Sequence, residues 1–193
     1  MEDLRYLRAP VQLERIVEKT QAVEFPMASE SLLGALLQTL AASKPGGRIL
    51  ELGTGTGIST AWLLSGMSED ATLVSVDTDE RVQGIAAECL GDDGRLSLVI
   101  SDGMEFLNKQ ATESFDLVFA DAVPGKYEGC EHALAVVKPG GFYVIDDMLP
   151  QPNWPEGHAA KIPVLMDVLA GRTDFTLVPM VWTSGVVVAV RRA

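Results

Sequence analysis

Carboxylates recur at the ends of short apolar runs in this chain. Asp77 closes TLVSVD (72 to 77), Asp121 closes FDLVFAD (115 to 121), and Asp146 with Asp147 closes GFYVIDD (141 to 147). A further run, RILEL (48 to 52), carries Glu51 and passes directly into Gly53-Thr-Gly-Thr-Gly57 and the apolar segment ISTAWLLSGM (58 to 67). A carboxylate at the end of a strand can accept the hydroxyls of a ribose. Asp121, Asp146 and Asp147, if brought together, repel one another unless protons or a cation compensate, and a hard divalent ion such as Mg2+ takes oxygen ligands of this kind. The same residues also suit capping of helices and loops. Both readings stand at this point.

The glycine-rich turn is the second chemical feature. Gly53, Gly55 and Gly57 permit positive φ angles and close approach of a ligand to the backbone, and the helix that follows offers unpaired N–H groups to an anion. In a dinucleotide-binding fingerprint the third glycine would fall at Ile58, so the spacing here disfavours NAD and an oxidoreductase. Asp77, with Thr78 beside it, suits the ribose of any adenosine-containing cofactor. Further along, the loop LPQPNWPEGH (149 to 158) holds Trp154, which can wall a planar ligand, and His158, whose ordinary pKa suits a general base near neutrality.

These residues need elements to hold them. Apolar runs alternating with helix-period segments from Arg48 onward predict a doubly wound, mostly parallel α/β sheet with helices on both faces. Strands are expected at 48–52, 72–77, 96–101, 115–121 and 141–147, with FTLVPM (175 to 180) and GVVVAVR (185 to 191) forming an antiparallel edge hairpin. Helices are expected at 58–67, 79–90, 103–110, 127–137 and 158–170, the last with a break at Pro163, and VKPGG (137 to 141) reads as a helix end followed by a turn. The first 45 residues read as two helices, near 10–20 and 29–43, covering a site or an edge.

At 193 residues the chain fits one domain, with residues 1–45 as a helical cover and 46–193 as the core. The net charge of −12 argues against a nucleic-acid substrate, Arg191 and Arg192 notwithstanding. Cys89 and Cys130 lack metal-ligand spacing and read as free thiols. With no secretory signal pattern and no apolar run of membrane-spanning length, a soluble cytoplasmic protein is expected.

Glu51-Leu-Gly-Thr-Gly-Thr-Gly followed by Ser59 resembles the first motif of class I S-adenosylmethionine methyltransferases; VSVDTD resembles the second and SDGMEFL the adenine-side motif. With FADAVPGKY, VVKPGG and VIDDML, the chain resembles the family of catechol and caffeoyl-coenzyme A O-methyltransferases over roughly Phe25 to Val190. The resemblance implies that Glu51 and the backbone of Gly53, Thr54, Gly55 and Gly57 hold the amino-acid end of S-adenosylmethionine, with Ser59 on its carboxylate. It places Asp77 and Thr78 at the ribose, Ser101, Asp102 and Gly103 at the adenine, and Met27 and Ala28 in a lid over the cofactor. It implies Asp121 beside the cofactor and in catalysis, Asp121, Asp146 and Asp147 as Mg2+ ligands, a small, catechol-like methyl acceptor, and a homodimer.

Two departures matter. The family's third ligand is Asn, where this chain has Asp147. Its catalytic Lys, three residues after the first Asp ligand, is replaced by Pro124; Lys126 stands two positions on, beside Tyr127, which matches the family's Tyr. Lys126 and His158 are therefore the expected bases, against the plainer reading of a solvated Lys and an exposed His. A metal-independent methyltransferase with another small acceptor and a non-catalytic S-adenosylmethionine-binding module remain as alternatives.

Overall fold

The computed structural model describes residues 3–152 and 154–193; Asn153 of the proline-rich loop lies outside them. Seven strands, β1 (Arg48–Leu52), β2 (Thr72–Asp77), β3 (Leu96–Ile100), β4 (Phe115–Ala120), β5 (Val137–Ile145), β6 (Phe175–Met180) and β7 (Val186–Arg191), form one sheet in the order β3-β2-β1-β4-β5-β7-β6. β1 to β5 are parallel, while β7 runs antiparallel to β5 and β6 to β7. The Rossmann-like sheet and its edge hairpin are those expected from the sequence. Strand order reverses between β1 and β4, and in open α/β sheets ligands bind at such a switch point, beyond the carboxyl ends of the strands.

Helices α1 (Leu13–Ala22), α2 (Ser31–Ala42), α3 (Ile58–Gly66), α4 (Glu80–Leu90), α5 (Gly103–Leu107), α6 (Cys130–Ala135) and α7 (Lys161–Ala170) cover the sheet. Its strands are apolar on successive residues because both faces are buried. Ile49 packs with Trp62, Leu73 and Phe119 on one face, and Leu50 and Leu52 pack with Val118, Tyr143 and Ile145 on the other. No helix among the described residues is long and apolar enough to cross a membrane.

Two expectations need correction. VKPGG is not simply a turn after a helix: α6 ends at Ala135, and β5 already begins at Val137, which pairs with Phe115. The register then jumps, Leu117 pairing with Phe142, so Lys138 to Gly141 form an irregularity within the strand, with Gly140 at φ +74°. Pro163 does not break its helix, because it lies in the first turn of α7, where a backbone N–H has no intrahelical acceptor in any case. Arg191 is a structural residue: its guanidinium donates to the Val137 carbonyl at 2.7 Å and pairs with Glu113 at 3.0 Å.

The N-terminal helices are tied to the core through close contacts. Arg15 and Lys19 of α1 both pair with Glu88 of α4, at 2.7 and 2.9 Å. α2 lies directly on α3 because Gly34 has no side chain: a Cβ there would sit 2.3 Å from the buried Trp62 ring. Gly34→Ala must push the two helices apart or turn the indole, an overpacking cost of about 2 kcal/mol. For a chain of this length, thermal melting should show a fall of about 4–8 °C; an unchanged midpoint would contradict this packing.

Candidate active site

The turn after β1 is fixed from both sides. Gly53 (φ +102°) and Gly57 (φ +95°) occupy the left-handed region, and a Cβ on either would collide, with the Asp121 carbonyl oxygen at 2.9 Å and with Ala86 of α4 at 2.7 Å. Asp77 clamps the turn from β2: its carboxylate accepts the Gly55 N–H at 2.8 Å and the Asp79 N–H at 2.9 Å. Phe25 lies over Gly55, close enough that a Cβ there would stand 3.2 Å from the ring.

Beneath the turn runs a buried polar chain. The Gln83 amide donates to the Thr54 hydroxyl (2.9 Å), Thr54 pairs with Ser75 (2.6 Å), and Ser75 donates to Glu51 (2.5 Å), which also accepts from Thr60 (2.6 Å). All these side chains are buried, and Oε1 of Glu51 has no hydrogen-bond partner among the described residues. Burial pushes the Glu51 carboxyl up to about 7, with the hydroxyls of Ser59, Ser75 and Thr60 pulling it back and Asp77 adding to the rise.

Above the turn lies a cavity of about 210 Å³ bounded by Met27, Ala28, the Gly53 to Thr56 turn, Ser59, Asp77, Asp121 and Asp147. A smaller one of about 100 Å³ shares Met27, Ala28, Asp121 and Asp147 with it and reaches Asp146 and Ser184. The structure thus gathers Met27, Ala28, Gly53, Thr54, Gly55, Ser59, Asp77 and Asp121 around one space. Gly57 and Glu51 act from behind the wall. Thr78, Ser101, Asp102 and Gly103 are not part of it: Asp102 caps α5 by accepting from Met104 and Glu105, and Gly103 packs on Pro124.

Asp146 and Asp147 lie close enough to Asp121 to act on its ionisation, and Asp147 acts on that of Asp146. Burial, then Asp146, holds Asp121 well above the usual carboxylate range, Lys126 opposing; burial pushes Asp146 up to about 6, opposed first by its bond from Ser184. Among the described residues, however, no three Asp, Glu, His or Cys side chains stand where they could hold a metal ion. Asp146 is turned to the Ser184 hydroxyl of the edge hairpin. Asp147 sits at φ +53°, a conformation that Asp and Asn tolerate better than most residues. As placed, the three do not fit a divalent ion, and no chemical step is assigned to one.

Lys126 is not the solvated loop residue of the plainer reading. It is 3% exposed, acts electrostatically on Asp121 and Asp146, and forms no ion pair or hydrogen bond through its amine among the described residues. Its loop is anchored by the buried Tyr143 hydroxyl, which donates to the Gly125 carbonyl at 2.6 Å. Tyr127 and His158 meet at 3.0 Å between Oη and Nε2, and Trp154 packs against the imidazole with ring centres 4.5 Å apart. Partial burial and the nearby Lys126 and Lys161 hold His158 below its ordinary pKa, so it is neutral at pH 7. Burial, with Asp147 and Asp121, pushes Tyr127 up to about 12.

A model of the methyltransferase domain family matches residues 50–148, just over half of the chain. The chain belongs to this methyltransferase family. A Mycolicibacterium vanbaalenii protein provisionally named an O-methyltransferase is 37% identical over 118 residues, 58% of this chain and 52% of that one. The match spans about half the length of the curated relatives. The O-methyltransferase TomG of Streptomyces achromogenes, involved in tomaymycin synthesis and solved with S-adenosylmethionine, is 26% identical, with a TM-score of 0.82 over 97% of this chain and 92% of that one. The O-methyltransferase of Bacillus cereus, solved with S-adenosylhomocysteine, shares the fold at 22% identity and a TM-score of 0.82, over 97% of this chain and 93% of that one.

Phe25, Ser29, Thr56, Ile58 and Ala122 complete the cavity wall, and Ser184 holds Asp146; none of them stood out in the sequence. Glu51 is fully buried with its carboxyl pushed up to about 7, which makes it a testable electrostatic feature. The unfolded chain ionises near 4.5 and the folded chain near 7, so folding stability is full below 4.5 and declines as pH rises to about 7. Glu51→Gln cannot ionise and removes this loss, on the order of 3 kcal/mol at pH 8. Its melting point should therefore exceed that of the wild type at pH 8 by more than at pH 5; a difference independent of pH would contradict a buried, displaced carboxyl.

Proposed function

We propose that the chain is an S-adenosylmethionine-dependent O-methyltransferase acting on a hydroxyl of a small acceptor. The observation that carries this reading is the pair of adjoining cavities at the switch point. One lies over the glycine turn and Asp77, the other over Asp146 and Ser184, and Asp121 and Asp147 belong to both. TomG, solved with the same cofactor, supports it.

The residues present fit the cofactor. The partnerless Oε1 of Glu51 beneath the turn suits the α-ammonium, Ser59 and the first N–H groups of α3 suit the carboxylate, and Asp77 suits the ribose hydroxyls. In this reading Thr78 flanks the ribose, Ser101, Asp102 and Gly103 border the adenine from outside the cavity wall, and Met27 with Ala28 covers the reacting end. When bound, S-adenosylmethionine supplies an electrophilic methyl group on a sulfonium sulfur. The protein's task is then to aim an acceptor oxygen at that carbon and to remove its proton; orientation contributes most of the rate. Lys126, buried and electrostatically coupled to Asp121, is our choice for the proton acceptor in its uncharged amine form, which becomes the ammonium on taking the hydroxyl proton, and His158, neutral and hydrogen-bonded to Tyr127, for the group that passes the proton outward.

The test is methyl transfer from S-adenosylmethionine to 3,4-dihydroxybenzoate, read by mass spectrometry, with Mg2+ and with EDTA. We expect product in both buffers, a loss of about 100-fold or more in kcat for Lys126→Met and a smaller loss for His158→Gln, at unchanged affinity for S-adenosylhomocysteine. Activity only with Mg2+ would restore Asp121, Asp146 and Asp147 as metal ligands. Full activity of Lys126→Met would remove Lys126 from the chemistry.

A further inference from the structure

The last turn of α1 grips the glycine turn in two ways. Ile16 and Thr20 are the buried residues of that helix. The Thr20 hydroxyl reaches the Ile16 carbonyl at 2.7 Å and the Thr56 hydroxyl at 2.8 Å. The first contact already satisfies a threonine within a helix, so the second serves Thr56, which is buried in the wall of the cavity over the glycine turn. The Thr20 carbonyl is used as well. α1 ends in a left-handed cap: the Phe25 N–H donates to the Thr20 carbonyl at 3.2 Å and the Glu24 N–H to the Gln21 carbonyl at 3.0 Å, with Glu24 at φ +52° where glycine is usual. This cap sets the Phe25 ring over Gly55.

The grip matters because the wall it supports has open space on both sides. Inside lies the cavity over the glycine turn; outside, between α1 and the start of α2, lies a groove of about 570 Å³. Phe25, Ala28, Ser29 and Ile58 line both. A segment flanked by space on both faces has few packing contacts to fix it, so its position depends on its attachments. Thr20 is the attachment at its N-terminal end. The pairs of Arg15 and Lys19 with Glu88 hold α1 on α4 and do not reach the turn.

We propose that Thr20 is a positioning residue for the cofactor: through Thr56 and Phe25 it holds the glycine turn and the wall above it ready for S-adenosylmethionine, so that docking of α1 and binding of the cofactor favour one another. The inference rests on the reading of the active site given above. A seat that is already ordered binds more tightly than one that must be ordered at the moment of binding. By linkage, whatever the docked helix adds to cofactor affinity, the cofactor returns as stability of the docked helix.

The experiment is calorimetric titration of S-adenosylhomocysteine into wild type, Thr20→Val and Thr20→Ser, with amide hydrogen exchange over α1 in the presence and absence of the compound. Valine keeps the shape of threonine without the hydroxyl, and serine keeps the hydroxyl. Thr20→Val should weaken binding about tenfold, the scale of one buried hydrogen bond whose partner is left unpaired, while Thr20→Ser should stay within about threefold of the wild type. S-Adenosylhomocysteine should slow exchange in α1 of the wild type and of Thr20→Ser, and much less in Thr20→Val. Should Thr20→Val not fold, Thr56→Val makes the same comparison from the other side of the bond. Equal affinity of the valine variant and the wild type, an equal loss in the valine and serine variants, or exchange in wild-type α1 unmoved by S-adenosylhomocysteine would overturn the role of Thr20. Failure of the wild type to bind S-adenosylhomocysteine would overturn the methyltransferase reading instead.

Discussion

A fully buried carboxylate in the middle of β1 is the constraint around which the rest is arranged. Glu51 cannot be left without donors in a core of Leu, Ile and Trp side chains, because an unpaired buried charge is far more costly than a paired one. Hydroxyls from β2 and α3 donate to it, and the Thr54 hydroxyl and the Gln83 amide continue the chain into the turn and α4. Each donor comes from a different element, so satisfying one carboxylate fixes two strands, two helices and the glycine turn relative to one another. Part of the cost remains visible in its raised pKa and partnerless oxygen. A cation presented from the cavity side of the turn would relieve both.

The same logic of distant anchors holds the acceptor side. Asp146 leaves β5 and is received by Ser184 from the edge hairpin, whose backbone also bonds to Met148 and Leu149. Lys126 is held inward because Tyr143 of β5 donates to Gly125 and because Gly125 leaves no Cβ to strike Leu52, which would be 2.3 Å away. The sheet thus positions a lysine two residues later in its loop than the resembling family does. A longer reach from a different backbone position can bring an amine to the same neighbourhood, which is why the replacement of the family's lysine by Pro124 does not by itself empty the site.

Much of the fold was legible because its signals are local. Alternation of apolar runs with helical segments located all seven strands, and Gly53 to Gly57 announced a turn that close backbone contacts require. What the local pattern missed depended on residues far apart in the chain. Thr20 reaching Thr56 and Ser184 reaching Asp146 are separated by 36 and 38 positions, and neither serine nor threonine is conspicuous where it stands. The resemblance implies Glu51 at the amino-acid end of the cofactor; which face of β1 it occupies puts its side chain under the turn, with Oε1 without a hydrogen-bond partner among the described residues. Asp102, which the resemblance places at the adenine, also caps α5, a role that only its position before the helix determines. The burial of Lys126 follows from a contact between Gly125 and Tyr143 that no spacing in the sequence discloses.

The central claim is that the glycine turn, held by Asp77 and underpinned by Glu51, forms the seat of an adenosine-containing methyl donor. Calorimetric titration of S-adenosylhomocysteine into the wild type and into Asp77→Ala tests it most directly. The account predicts micromolar or tighter binding to the wild type and at least a tenfold weakening in the variant, which loses both the ribose acceptor and the clamp on Gly55. No binding to the wild type, or equal binding to both proteins, would contradict it.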